Sequence, residues 1–538
     1  MKADLILESN LIFDSVQDVP FAGFVAVKDN KILAVSSNPE EKQNYMDETT
    51  KVMSYEDKLI MPAFFDSHVH LVLAGMFKTF VDLGHLKSEE DCAKFCYDYA
   101  QANPVDGWLI GFNWYHFKWD NRCLPTRESL DKYFPDTPVV LLSSEAHSAW
   151  VNTKALEICG ITKDTENPFS GVIERYENGE PTGFLDESAI SLVTPYAFQF
   201  TKEQEKTFMK NFEAATLPLG ITSIIDVKPY FGCDLGSMEI LEEMEQDKEL
   251  HMRVHGASDL FGDLDLAAEM SKKYHTEKIR YNLLKQFVDG VMPTHTALMT
   301  EDYSDAPGEK GFSLSELSLF ESAVEEGHKR GLSIKIHAVG DQAVHLVLDW
   351  YENAIDKFGD TKARHAIEHC EAVLADDFAR FGKLGVIPSM QPEHMGITPV
   401  WDEDPYRIVM GPDRIDMAFP LKSLLEGAGI MALGSDCPVV DNNPFLEIHR
   451  GFCRLHDDLQ PEGGWGPDQK LTMAELLKNY TYGPAFSVSR EDELGTLEVG
   501  KLADIVVIDG DLFHMSFQEI REASILTTIM DGEVVYEK

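Results

Sequence analysis

Leu59-Ile60-Met61-Pro62-Ala63-Phe64-Phe65-Asp66-Ser67-His68-Val69-His70 joins an apolar run to two histidines two positions apart. In a β-strand, residues two apart point to the same face. His68 and His70 therefore aim both imidazoles at one point just past a strand end. Neutral imidazole is the commonest side-chain ligand for zinc and related metals. Two surface histidines on an ordinary strand end would look the same in isolation. The rest of the chain separates the two readings.

Counting Met61–Phe65 within this stretch, short apolar runs recur along the chain at Ser223–Asp226, Met252–Gly256, Leu283–Val288, Ser333–His337, Ala366–His369, Val386–Met390 and Ile430–Leu433. Strands of a parallel sheet covered on both faces read this way. Eight of them is the count that a (β/α)8 barrel requires. Helices lie between many of them. Thr201 with Gln204 forms a capping-box signature for a helix to about Leu217, Ser315 to Arg330 stops at Gly331, and Asp341 to Lys357 stops before Gly359.

Roughly 150 residues separate the first two runs, against about 30 in a βα unit. Ser88 to Ala102 reads as a helix, Val139–Ser143 as a strand, and Gly171–Tyr176 with Gly183–Leu185 as a hairpin around Asn178-Gly179. Residues of about 75–205 are therefore expected to be an inserted subdomain over the C-terminal face of the barrel, where active sites sit. Trp108, Trp114 and Trp119 are candidates for an apolar lid there, with core packing the commoner fate of tryptophan.

Both chain ends are β-rich. Phe24–Val27 and Ile32–Val35 flank a hairpin signal, and Thr527–Met530 and Val534–Tyr536 flank Asp531-Gly532. Residues 1–59 and 486–538 are expected to meet in one composite β-sandwich, with the barrel spanning 60–485.

With 47 Lys+Arg against 92 Asp+Glu, the 538-residue chain carries a net charge of −45. That argues against nucleic acid and anionic membranes as partners, since both need a basic face. A solvated acidic surface accounts for the charge. No apolar run approaches the ~20 residues of a membrane span, and the N-terminus lacks a signal-peptide layout. Eight scattered cysteines without a C-x-x-C pair suit a reducing cytoplasm.

The chemistry-bearing residues fall at strand ends. His337 ends the fifth run, His369 the sixth, and Asp436 follows the eighth. With His68 and His70 they would converge at the barrel mouth, and four histidines with one carboxylate are a divalent-metal set. Zn suits these ligands; Fe, Mn or Ni would fit too. Lys285 lies inside the fourth run. A lysine there is either bonded to a nearby carboxylate or carbamylated by CO2, which turns a cation into a bridge for two metals. His365 and Glu368 flank His369 as candidates to orient a ligand or simply to finish a strand. His394, in Gln391-Pro392-Glu393-His394, is a substrate-contact candidate on a mouth loop.

Several stretches together carry a resemblance. They are Pro62–His70, Pro125–Asp131, Gly179–Gly183, Gly220–Ser223, Lys285–Gly290, His337–Asp341, Glu368-His369, Gln391–His394, Ser435-Asp436 and Gly500–Asp504. In this order, over nearly the whole chain, they resemble the amidohydrolase superfamily, in its N-substituted formamide deformylase-like branch. The resemblance implies a metal-bearing barrel with a composite β-sandwich. It implies His68, His70, His337, His369 and Asp436 as ligands of one or two divalent ions, with carbamylated Lys285 as bridge. It also implies hydrolysis of a C–N bond outside peptides in a small molecule: an amide, an N-substituted formamide or a cyclic amide. Glu145-Ala146-His147 stands where members often read D-G-H, which keeps His147 on the substrate side. His295 takes the place of an arginine that many members carry after Asp289-Gly290.

In the expected mechanism, a metal brings the pKa of water towards ~7 to give hydroxide. Asp436 orients this water, takes its proton and returns it to the leaving nitrogen, while His147 helps polarise the carbonyl. A one-metal deaminase of a ring C–N bond is the alternative and needs no carbamylated Lys285. A non-catalytic scaffold would have lost ligands that this chain retains. A homodimer is the expectation from symmetry base rates.

Overall fold

The computed structural model describes every residue except 104, 106, 229–231 and 234. Eight parallel strands lie side by side in chain order: Phe64–Val69, Ile221–Asp226, Arg253–Asp259, Ile279–Phe287, Ser333–Ala338, Ala366–His369, Ile387–Met390 and Ala432–Leu433. The last closes onto the first, where Asp436 N donates to His68 O at 2.7 Å and His70 N donates to Cys437 O at 2.9 Å. This is the (β/α)8 barrel. Most strand residues are buried, which is why the sequence shows apolar runs rather than alternation. The expected helices stand between strands. Lys202–Thr216 opens with both halves of the Thr201–Gln204 capping box, and Asp341–Phe358 ends at Gly359, whose φ is 76°.

The run Met61–Phe65 proves to be parts of two strands in two sheets. Leu59–Pro62 pairs with Leu5–Ile12 and Ile505–Ile508, whereas the barrel strand begins at Phe64. Between them, Ala63 N donates to Asp504 O and Phe64 N to Gly220 O, each at 3.0 Å. Both sheets are buried at this crossing, so hydropathy carries no break. The eighth strand is also shorter than expected, starting at Ala432.

The two chain ends meet. Leu5–Ile12, Phe21–Lys28, Lys31–Ser36, Lys51–Ser54, Leu59–Pro62, Ile505–Ile508, Ile525–Met530 and Glu533–Glu537 hydrogen-bond as one sheet, branched at Leu5–Ile12. Arg253, fully buried on the third barrel strand, ties the barrel to it. Its Nε and Nη2 reach the two Asp504 oxygens at 2.7 and 2.9 Å, and Nη2 also donates to Asp531.

Between the first and second barrel strands stands a third sheet. Its six strands, in spatial order, are Gly171–Arg175, Pro181–Glu187, Ser148–Val151, Val139–Ser143, Leu109–Trp114 and Val81–Asp82. The expected hairpin and the Val139–Ser143 strand belong to it. Leu109–Trp114 is interrupted by Gly111 and Asn113 and escapes a reading by periodicity. The tryptophans do not form a lid. Trp114 and Trp119 pack with Trp150 and Phe184 in the insertion's own core, and Trp108 packs half-buried against the main core. Aromatic surface of this size is most stable inside a core. Among the described residues, no helix is long and apolar enough to cross a membrane.

Candidate metal centre

Closure of the barrel sets Asp436 against the two histidines of the first strand. Its Oδ1 lies 3.3 Å from both His68 Nε2 and His70 Nε2. The approach requires a glycine: a Cβ on Gly434 would lie 2.6 Å from His68 N and 2.7 Å from Asp66 Oδ1. Asp66 pins the same seam, accepting from His68 N at 3.1 Å, Ser435 N at 2.9 Å and Ser435 Oγ at 2.6 Å.

His337 and His369 come from the fifth and sixth strands, with ring centroids 4.3 Å apart, and His369 lies 4.9 Å from His68. His337 Nε2 is 3.1 Å from Gly290 O, which turns its other nitrogen away from that carbonyl. His369, Cys370 and Asp436 adopt φ of 75°, 46° and 64°. Such left-handed conformations cost non-glycine residues about 1–3 kcal/mol each and gather at functional sites.

Lys285 is fully buried and its Nζ has no hydrogen bond among the described residues, resting 4.6 Å from the Phe287 ring. Burial pushes its pKa down to about 8, against the pull of Glu368 and Asp436. The expected tie to a carboxylate is absent among the described residues. Glu368 instead bonds to Lys335 Nζ at 3.1 Å and His68 Nδ1 at 2.6 Å. Burial favours the neutral acid, but Lys335 and His68 outweigh it and hold the Glu368 carboxyl well below its usual range.

These residues fit a divalent ion. His68 Nε2, His369 Nδ1, His394 Nε2 and Asp436 Oδ1 are buried and make no hydrogen bond within the described residues. Unpaired polar atoms are costly when buried, and here they converge. Two triads bring donor atoms within 4.8 Å of one another: His68, His70 and Asp436, and His369, His394 and Asp436.

They border a cavity of about 300 Å³, walled by both barrel and insertion. His147 lines it, 2.9 Å from Glu187 Oε2. Burial opposes the charge on His147, but Glu187 outweighs it and lifts the pKa to about 9. His394 lines the wall as well, whereas His295 does not. His295 pairs with Asp305 at 2.9 Å and stacks edge-on against Tyr303. His365 is also apart from the metal donors, bonded to His328 at 2.8 Å.

Sequence reasoning passed over Glu187, Glu371, Lys335 and Asp66. Asp66, two residues before His68, had a readable signal. Glu187 had none, because its role depends on where the insertion folds.

A profile of the Amidohydrolase family matches residues 51–536. The chain belongs to this family. It is a metal-dependent hydrolase of carbon–nitrogen bonds. Its relatives include the protein LONG AFTER FAR-RED 3 of Arabidopsis thaliana, 29% identical over 99% of this chain and 92% of that protein. Another is the N-substituted formamide deformylase of Arthrobacter pascens, 26% identical over 91% of this chain and 90% of the enzyme. Among solved structures, an uncharacterized metal-dependent hydrolase from Pyrococcus furiosus superposes with a TM-score of 0.73 at 25% identity, covering 95% of this chain and 99% of that one.

Proposed function

We propose that this amidohydrolase cleaves a non-peptide amide bond of a small molecule: a simple amide, an N-substituted formamide or a cyclic amide. The observation that carries the reading is the convergence on Asp436, in the lining of the cavity, of buried donor atoms that make no hydrogen bond among the described residues. His68, His70, His337, His369, Asp436 and Lys285 would hold one or two divalent ions, with Zn best suited to the nitrogen-rich set. Lys285 is suited to carbamylation, since an amine with a pKa of about 8 is partly neutral at physiological pH and can attack CO2. The carbamate would also relieve its burial without a partner.

A divalent ion supplies Lewis acidity, making water a nucleophile near neutral pH. Asp436 takes a proton from the attacking water and passes it to the nitrogen as the C–N bond breaks. His147, kept protonated by Glu187, donates to the carbonyl oxygen as negative charge develops there. All eight cysteines are free thiols, which supports a cytoplasmic setting.

The test is metal content per chain by elemental analysis on protein purified without chelators, followed by a screen of formamides, N-acyl amines and cyclic amides. Two ions with turnover of one of these classes is the expected result. One ion with release of ammonia from a ring substrate would replace this reading with a deaminase. No ion after reloading with Zn or Mn would refute it.

A further inference from the structure

Glu368 and Glu371 flank His369 in the chain, and each holds a different histidine. Glu368 Oε2 takes His68 Nδ1 at 2.6 Å, while Glu371 Oε1 takes His394 Nδ1 at 3.3 Å. The other Glu371 oxygen accepts the Tyr406 hydroxyl. Metal-ligating histidines almost always show this pattern: one ring N–H goes to a carboxylate or carbonyl, and the other nitrogen faces the ion.

With Nδ1–H given to a carboxylate, the neutral ring carries its lone pair on Nε2. His394 Nε2 is turned to Asp436 Oδ2, 3.5 Å away and without hydrogen-bond geometry. His68 Nε2 is likewise turned to Asp436 Oδ1 at 3.3 Å. A cation held between these ring nitrogens and the carboxylate would satisfy all of the buried atoms at once. His369, its ring stacked at 17° and 5.7 Å from that of His394, also has a buried Nδ1 with no hydrogen bond within the described residues.

We infer that His394 is a metal ligand, completing with His369 and Asp436 a second donor triad beside that of His68, His70 and Asp436, and that Glu371 and Tyr406 position it. This rests on the proposed metal-dependent reading and extends its ligand set. Asp436 belongs to both triads and is the carboxylate that two ions would share. His394 is thereby moved from the substrate side to the metal side.

The experiment compares wild type, His394→Asn and Glu371→Gln, each loaded with Zn or with Co(II). Ion count comes from elemental analysis, affinity from chelator competition, and ligand geometry from the visible bands of the cobalt forms. His394→Asn is expected to lose an ion or to weaken one by at least about 100-fold, with altered cobalt bands. Glu371→Gln is expected to keep the ion count while weakening one ion by about 10–100-fold. Melting temperatures of the metal-free forms verify folding, and His394→Gln replaces Asn if that variant fails to fold.

A His394→Asn protein with wild-type ion count, affinity and cobalt bands overturns the inference, and a rise in KM alone would return His394 to the substrate. If wild type holds one ion, the same affinity and spectral comparisons decide. A wild type that binds no ion overturns this inference and the metal-dependent reading together. Metal binding that is indifferent to His394 overturns the inference alone.

Discussion

Glu368 Oε2 lies 2.6 Å from His68 Nδ1 although 300 residues separate the two in the chain. Both are fully or almost fully buried. The bond fixes the His68 tautomer, leaving Nε2 to face Asp436, and Lys335 keeps Glu368 charged for the task. Glu368→Gln is expected to weaken metal binding by about 10–100-fold without changing the fold. Chelator competition measures it; unchanged affinity would show that packing alone orients His68.

Asp436 stands with its Oδ1 3.3 Å from the Nε2 atoms of both His68 and His70. Its replacement by Asn keeps size and one acceptor oxygen but cannot take a proton. Turnover is expected to fall by about 10²–10⁴-fold. The readout is kcat on metal-loaded protein, with metal content measured alongside to separate lost proton transfer from lost metal. Near-native kcat would remove Asp436 from the proton path.

The sequence made the metal donors readable because a buried parallel strand ends in a short polar step, and His68, His337, His369 and Asp436 each stand at such a step. The eight-strand count was readable for the same reason. Where two buried sheets abut, at Ala63, apolar content gave no boundary. Part of the insertion was opaque, since Leu109–Trp114 and Ser148–Val151 lack clean alternation. Glu187 and Glu371 were opaque too, because their partners His147 and His394 lie 40 and 23 residues away and meet them only through the fold. The tryptophans were ambiguous because an exposed lid and a small core need the same apolar residues.

Arg253 offers a test of how the chain ends are joined to the barrel. Its guanidinium grips Asp504 bidentately and touches Asp531, which stand at strand ends of the sheet shared by the two termini. Arg253→Ala leaves the buried Asp504 carboxylate uncompensated, and a loss of about 3–5 kcal/mol is expected. Chemical denaturation followed by circular dichroism would report it. A loss below ~1 kcal/mol would mean that water replaces the ion pair at little cost.

Lys285 separates the two enzymatic readings. Wild type stripped of metal and reloaded in CO2-free buffer is expected to recover little activity, with bicarbonate restoring it. Lys285→Ala should bind fewer ions and lose turnover, partly regained with a short carboxylate that fills the space. A Lys285→Ala protein with full metal and activity would favour the one-metal deaminase.

The His147–Glu187 pair predicts a pH dependence with a defined sign. Glu187 overcomes burial to raise His147 from its ordinary value of 6.5 to about 9, so the ring is charged through the neutral range. As proton donor to the substrate carbonyl it should give kcat/KM an upper limb near pH 9. Because the folded value lies above the unfolded one, protonated His147 also contributes stability that is fully present below pH 6.5 and is lost as pH rises through about 9. Glu187→Gln removes the carboxylate, so the upper limb should move towards neutral pH and the alkaline loss of melting temperature should shrink. His147→Asn should abolish the limb and lower kcat/KM across the whole range. A limb that stays near pH 9 in Glu187→Gln would assign it to another group, and the role of His147 in polarising the carbonyl would then fall.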